Sequence, residues 1–124
     1  TTPEQSDGLT LVRSLSAPGF STCGYPIKSS FYLGEKRQLR YSALGLSDFA
    51  TTDHSLQESF LLATGSVDGA VYIFDLDQSS LVSRLEGHHK DKVYAAEFHP
   101  KEPVLATCSG DSTIILWAMT NREK

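Results

Sequence analysis

The chain has 124 residues, of which 40% are hydrophobic and 21% are charged, and its formal net charge is −4. This composition is typical of a small folded soluble domain and excludes an intrinsically disordered chain. The acidic balance argues against direct binding of nucleic acid or an anionic membrane, and no apolar run approaches the roughly 20 residues that a membrane helix needs.

The first half of the chain predicts loops with a few strands. Residues 1–7 are polar, and Asp7-Gly8 is a candidate turn before a strand at 9–15. Prolines and glycines predict a loop over 17–30, Ser29–Leu33 is a candidate outer strand, and 39–46 is a candidate inner strand. The polar residues 47–59 predict a long surface loop.

The second half predicts a regular series of strands. A hairpin is expected over Phe60–Thr64 and 70–75, followed by a turn at 77–80 and an outer strand at 81–85. Val93–Phe98 alternates as a strand does, with Val93, Ala95 and Glu97 on one face. A tight connection at 99–103 and a hairpin within 105–118 follow, and 119–124 is a polar tail. No window carries a helical apolar stripe with a cap, so an all-β fold is expected.

Two stretches of this half repeat each other. Residues 62–75 read LATGSVDGAVYIFD, and residues 105–118 read LATCSGDSTIILWA. Three pairs share a spacing of 43 residues: Thr64 with Thr107, Asp68 with Asp111, and Phe74 with Trp117. A common spacing at several positions indicates an internal repeat.

The second copy resembles a WD40 repeat, because Gly87-His88, Phe98-His99-Pro100, Asp111 and Trp117 follow one another in that family's order. It departs in two places. Ala118 replaces the closing Asp, and the stretch from Gly87 to Val93 is one residue longer than usual, so either His88 or His89 is the motif His. The first copy has Phe74 instead of Trp, and Gly34-Glu35 in the Gly-His position.

The resemblance implies an all-β fold of antiparallel four-stranded blades from a WD40-like β-propeller. At 43 residues per repeat, the chain amounts to roughly two to three blades. We expect a degenerate blade portion or loop at 1–28, a repeat with a long inter-strand loop at 29–80, a repeat at 81–118 and a tail at 119–124. The remainder of the propeller, as C-terminal repeats of a larger protein would require, is expected from the rest of the chain or another chain.

The resemblance also implies a hydrogen-bonded network within a blade. In the second copy it would join His88 or His89 with Thr107, Asp111 and Trp117; Thr64 and Asp68 hold the matching positions in the first. A buried Trp ring N–H needs an acceptor, and a Thr hydroxyl accepts while donating to a His. The alternative for the same residues is a hydrolase site that uses His88 or His89 with Asp111.

The remaining candidate sites are weaker. His88, His89, His99 and Asp91 lack any familiar zinc spacing, so neither a metal nor a cofactor is expected. The two cysteines, Cys23 and Cys108, form no Cys-x-x-Cys pattern, and Cys108 is expected to be buried in a strand. The resemblance places Lys92 and Tyr94 near the propeller rim, where protein partners dock.

The function that the resemblance implies is a non-catalytic scaffold for protein–protein interaction within a multiprotein complex, in the nucleus or cytoplasm. An alternative is a substrate-receptor subunit of a cullin-type ubiquitin ligase. Many such receptors end a repeat with Trp-Asp-x-Arg, whereas the matching tetrapeptides here are Trp117-Ala118-Met119-Thr120 and Phe74-Asp75-Leu76-Asp77.

Overall fold

The computed structural model describes residues 8–34 and 60–118, which form seven strands and no helix. No helix in these ranges is therefore long and apolar enough to cross a membrane. The strands are β1 (Ser29–Leu33), β2 (Phe60–Thr64), β3 (Val71–Asp75), β4 (Ser80–Leu85), β5 (Val93–Phe98), β6 (Val104–Ser109) and β7 (Ile114–Ala118). The predicted all-β fold is confirmed.

The first sheet has four antiparallel strands in the order β1-β2-β3-β4. Each strand is rich in aromatic and branched residues, which suit a pleated, half-buried surface. Short turns join β2 to β3 and β3 to β4, so neighbours in sequence are neighbours in the sheet. This order is that of one propeller blade.

The second sheet consists of β5, β6 and β7, also antiparallel and in sequence order. It reproduces the first three strands of the first sheet. The division between the sheets lies between Leu85 and Val93, so the sequence repeat that begins near residue 80 contributes its first strand to the preceding sheet.

The two sheets pack face to face around one apolar core. Val71 and Ile73 from the first sheet meet Val93 and Phe98 from the second, and the Tyr32 and Phe98 ring centroids lie 5.1 Å apart. The approach is closest at Gly65, where an added Cβ would lie 2.2 Å from the Val93 carbonyl oxygen. The Val93 N–H donates to the Ser66 carbonyl at 2.9 Å, which joins the sheets at this end.

A second apolar cluster covers the opposite face of the first sheet. Tyr72 and Phe74 are buried there against Phe20, and Leu15 and Ala17 pack beside them. The loop that precedes β1 therefore closes over this sheet, because its aromatic and aliphatic side chains lose contact with water.

Several predicted elements differ from the structure. Residues 9–15 do not form a strand, and Leu9 and Leu11 are 77% and 81% exposed. The strand Ser29–Leu33 has its predicted bounds. It is not the outer strand of a blade that the sequence predicts, because it is the first strand of its sheet and packs beside β5, the first strand of the other sheet. Gly34 follows this strand, whereas the Gly-His segment of the second copy precedes β5, so Gly34 does not hold the matching position.

The predicted faces of β5 are also wrong at one residue. A register irregularity between Val93 and Ala95 places Val93 on the buried face with Ala96 and Phe98, because a bulge shifts the alternation by one residue. Cys108 is half-exposed rather than buried. The predicted strand at 39–46 and loop at 47–59 lie outside the described residues.

Candidate functional site

A chain of hydrogen bonds crosses the second sheet from Trp117 to Asp111. The Trp117 Nε1–H donates to the Thr107 hydroxyl at 3.0 Å, and this oxygen lies 2.8 Å from Nε2 of His89. Nδ1 of His89 is 3.2 Å from Oδ2 of Asp111. The Asp111 carboxylate only accepts, so a proton on His89 Nδ1 completes the chain, with Nε2 accepting from the Thr107 hydroxyl and the hydroxyl oxygen accepting from the indole N–H.

Asp111 anchors this chain in the turn between β6 and β7. The Thr113 hydroxyl donates to Oδ1 at 2.5 Å, and the backbone N–H groups of Lys90 and Thr113 donate at 2.7 Å and 2.9 Å. These hydrogen bonds, that from the Thr113 hydroxyl foremost, hold the pKa of the Asp111 carboxyl far below its usual range. The carboxylate therefore stays charged and joins the loop before β5 to the turn after β6.

The structure brings His89, and not His88, into this chain. His89 is 6% exposed. His88 is exposed, its Nδ1 lies 3.1 Å from the Glu86 carbonyl oxygen, and its ring packs edge-on against Trp117. The extra residue in the Gly-His segment thus shifts the motif position by one.

Thr107, His89 and Asp111 have the order of partners found in a hydrolytic triad, but the hydroxyl cannot act as a nucleophile. Thr107 is 1% exposed, so no substrate carbonyl reaches it. One lone pair of its oxygen already accepts the Trp117 N–H. A fully satisfied buried network of this kind stiffens the surrounding structure.

The matching positions in the first sheet are not joined in this way. Thr64 accepts a hydrogen bond from the Ser29 hydroxyl at 3.0 Å and is 3.4 Å from the Gly65 carbonyl oxygen. Phe74 replaces the Trp and has no ring N–H to satisfy. Asp68, the counterpart of Asp111, has different partners from Thr64.

Asp68 instead joins a group that the sequence did not reveal. The Tyr72 hydroxyl donates to its Oδ2 at 2.6 Å and accepts from Nε of Arg84 at 2.9 Å, while Nη2 of Arg84 lies 3.2 Å from the same Oδ2. Arg84 also forms an ion pair with Glu86. Tyr72 and Arg84 face each other across β3 and β4, a proximity that only the strand register discloses.

The pKa values of this group follow from its contacts. Partial burial raises the pKa of Asp68, but the hydrogen bonds from Tyr72 and the Ala70 backbone outweigh it and leave the pKa lowered. Burial, followed by the neighbouring carboxylate, raises the pKa of Tyr72. Asp68 is therefore ionised and Tyr72 protonated at neutral pH.

Lys92 and Tyr94 lie on the surface at the end of the sheets where the loop enters β5. Nζ of Lys92 is 3.2 Å from Oδ1 of Asp91 and 5.1 Å from the centre of the Tyr25 ring, and the Tyr25 and Tyr94 rings are 6.3 Å apart. The hydrogen bond and charge of Asp91 raise the pKa of Lys92. Tyr25 was not predicted, because it lies 69 residues from Tyr94 in a stretch without a motif.

The other polar groups do not assemble into a metal centre within the described ranges, where no cluster of three His, Cys, Asp or Glu side chains occurs. His99 lies in the turn after β5, and its Nδ1 accepts the backbone N–H groups of Lys101 and Glu102, both at 3.0 Å. Cys23 and Cys108 are free thiols.

Comparison with known protein families gives a match in the second half of the chain. The family model "WD domain, G-beta repeat" matches residues 79–118. This span covers β4 and the whole second sheet, including the chain of hydrogen bonds from Trp117 to Asp111.

Three of the proteins with similar sequences come from a fly, a slime mould and human. Actin-interacting protein 1 of Drosophila melanogaster is 40% identical over 62 residues, or 49% of this chain and 10% of that protein. The U5 small nuclear ribonucleoprotein 40 kDa protein of Dictyostelium discoideum is 44% identical over 55 residues, which cover 44% of this chain and 15% of that protein. Human pre-mRNA-processing factor 19 is 35% identical over 60 residues, which cover 48% of this chain and 12% of that protein. The chain thus spans only a small part of these relatives.

Proposed function

We propose that this chain, which contains a repeat of the WD40 family over residues 79–118, acts as a non-catalytic platform that holds partner proteins in a multiprotein complex. The observation that carries the proposal is the arrangement at one end of the two sheets. There, Lys92 in the loop before β5 and Tyr94 at the start of β5 are partly exposed, and Tyr25 after a tight turn is exposed. Partners would dock on this end, which the WD40 resemblance identifies with the rim of a propeller.

The rigidity of this end supports a docking role. The Gly110 N–H donates to the Lys92 carbonyl at 2.9 Å, and the Ser109 hydroxyl donates to the Asp91 carbonyl at 3.0 Å. The bond from Val93 to Ser66 then ties this loop to the first sheet. A surface held in place before binding loses little conformational entropy when a partner docks.

The buried position of Thr107 supports a non-catalytic role, because the arrangement closest to a catalytic triad is closed to substrate. The names of two similar proteins support a role among other proteins, since one is called actin-interacting and the other is a ribonucleoprotein component. By analogy we place this protein inside the cell, in the nucleus or cytoplasm, among protein partners rather than in direct contact with nucleic acid or membrane.

The open edge and faces of the two sheets support the proposal that this chain is part of a larger propeller. Ile114 and Leu116 on β7 are 72% and 70% exposed, and Phe31 on β1 is 62% exposed. Repeat units bury such faces against neighbouring repeats. Further blades, from the rest of the chain or another chain, would flank the repeats at 29–80 and 81–118.

The experiment is affinity purification of the tagged full-length protein from cells, comparing it with a variant that carries Lys92→Ala and Tyr94→Ala. A control variant carries Lys101→Ala and Glu102→Ala, in the turn at the opposite end of β5. We expect the first variant to lose co-purifying proteins while its melting temperature stays near that of the wild type. Unchanged partners in the first variant, or equal losses in both, would contradict the proposal.

A further inference from the structure

Tyr25, Lys92 and Tyr94 form one continuous surface, here called the tyrosine–lysine surface. The Lys92 ammonium lies 5.1 Å from the Tyr25 ring centre, within the range of a cation–π contact, and the two tyrosine rings are tilted neighbours. Tyr25 is 43% exposed. Aromatic rings beside a cation are typical of residues that anchor a protein partner.

The segment around Tyr25 is fixed by hydrogen bonds on both sides, which hold the Tyr25 ring in place at the surface. The Tyr25 N–H donates to the Thr22 carbonyl at 2.8 Å, and both residues between them have positive φ, 48° at Cys23 and 82° at Gly24. Such a pair closes a two-residue turn. Ser21 binds Ser66, in the connection between β2 and β3, through two hydrogen bonds.

The segment then reaches the second sheet. The Lys28 N–H donates to the Tyr94 carbonyl at 2.9 Å, and the Ala96 N–H donates to the Lys28 carbonyl at 3.2 Å. Tyr25 thus lies on a bridge between the two sheets, and its ring is fixed relative to Tyr94.

The polar atoms of this surface can all donate a hydrogen bond, and the two phenolic hydroxyls can also accept one. Among the residues that the structure describes, neither the Tyr25 nor the Tyr94 hydroxyl has a hydrogen-bond partner, and Lys92 has the single acceptor Asp91. A Cβ added at Gly110 would lie 2.8 Å from Oδ2 of Asp91 and 3.3 Å from the Tyr94 hydroxyl, so these two groups meet at the same turn. The surface therefore has spare donors and one acceptor already engaged.

We propose that the tyrosine–lysine surface binds aspartate or glutamate side chains of an acidic peptide segment in a partner protein. A carboxylate accepts from the ammonium and from the phenolic hydroxyls, and the tyrosine rings pack on the aliphatic part of the segment. The surface includes one lysine, whose charge is partly offset by Asp91, and no arginine, so we assign it a monovalent carboxylate rather than a divalent phosphate. This inference rests on the proposed docking function and names the chemistry of its partner.

Two exposed lysines next to this surface in the chain add to its preference for acidic segments. Lys28 follows the Tyr25 turn, and Lys90 precedes Lys92. Asp91 opposes the preference, because it competes with a partner carboxylate for the Lys92 ammonium. Removing the Asp91 carboxylate should therefore raise the affinity of this surface for an acidic segment.

The test is fluorescence anisotropy of the full-length protein with a labelled peptide of alternating glutamate and glycine, beside a matching lysine peptide. We expect the glutamate peptide alone to bind, more weakly at high salt. Lys92→Gln should lower its affinity about fivefold, the upper range for an exposed ion pair. Tyr94→Phe should lower it less, Asp91→Asn should raise it, and Lys101→Gln at the opposite end should leave it unchanged.

Several results would overturn the inference: no binding of the glutamate peptide, equal binding of the lysine peptide, tighter binding of a phosphoserine peptide than of the glutamate peptide, or no effect of Lys92→Gln. The docking proposal is separable from it. If the double variant Lys92→Ala and Tyr94→Ala still loses its cellular partners, that proposal stands while the acidic partner is rejected.

Discussion

Replacing Thr107 by Val isolates the energy of the hydrogen-bonded chain in the second sheet. Valine has nearly the shape of threonine, so the packing of the 1%-exposed side chain is retained while its hydroxyl is lost. Two buried groups then lose their partner: the Trp117 Nε1–H, which donates at 3.0 Å, and Nε2 of His89, at 2.8 Å.

The expected loss follows from these two groups. A buried polar group left without a partner costs roughly 1–3 kcal/mol. Because Trp117 is only half-buried and His89 is 6% exposed, we expect a total loss of about 3 kcal/mol in the free energy of unfolding. The assay is urea unfolding followed by the fluorescence of Trp117, the one tryptophan in the sequence.

The matched control is Thr64→Val, at the same repeat position in the first sheet and 5% exposed. Among residues 8–34 and 60–118, the Thr64 hydroxyl contacts the exposed Ser29 hydroxyl and, at 3.4 Å, the Gly65 carbonyl, so about 1 kcal/mol is expected. Thr107→Ser, which keeps the hydroxyl, should retain most of the unfolding free energy that Thr107→Val loses. Equal losses for the two valine variants would refute a special role for the chain from Trp117 to Asp111.

Three further predictions concern other parts of the fold. Gly65→Ala should separate the sheets and lower the melting temperature sharply, because its Cβ would lie 2.2 Å from the Val93 carbonyl oxygen. Gly87→Ala is the comparison for backbone strain alone, since φ is 88° there but nothing lies within 4 Å of the added Cβ, and an effect of Gly65→Ala no larger than this one would contradict the prediction. Tyr72→Phe should cost about 1.5 kcal/mol in urea unfolding, since the hydroxyl joins two charged groups, and no loss would show that the ion pair alone suffices. The pKa of Asp111 is lower in the folded chain than its unfolded value of about 4, so the carboxylate stabilises the fold above about pH 4 and this contribution is lost as the pH falls further. The unfolding free energy of Asp111→Asn should therefore depend less on pH in acid than that of the wild type, and parallel pH profiles would exclude the effect.

The sequence predicted the strands from β2 to β7 well because they are short, largely apolar and separated by strong turn residues. The bounds of β2 and β5 agree with the prediction, and Thr107, Asp111 and Trp117 lie in one hairpin, as their spacing predicts. Local pattern sufficed there, since the partners lie within one repeat.

What the sequence could not predict depends on contacts between distant segments. The choice between His88 and His89 rests on which side chain reaches Thr107, and the buried face of Val93 depends on a bulge. Tyr72 and Tyr25 carry no motif, and their partners are fixed by strand register and by the loop that crosses between the sheets. The strand expected at 9–15 fails for the same reason: an apolar alternation forms a strand only when a neighbouring strand pairs with it.

The most direct measurement of the docking role is photo-crosslinking in cells with a photoreactive phenylalanine analogue at position 94. The same analogue at position 101, in the turn at the other end of β5, is the control. The account predicts that position 94 is captured by discrete partner proteins and position 101 is not. Equal crosslinking from both positions, or none from position 94 in a folded protein that still co-purifies its partners, would contradict it.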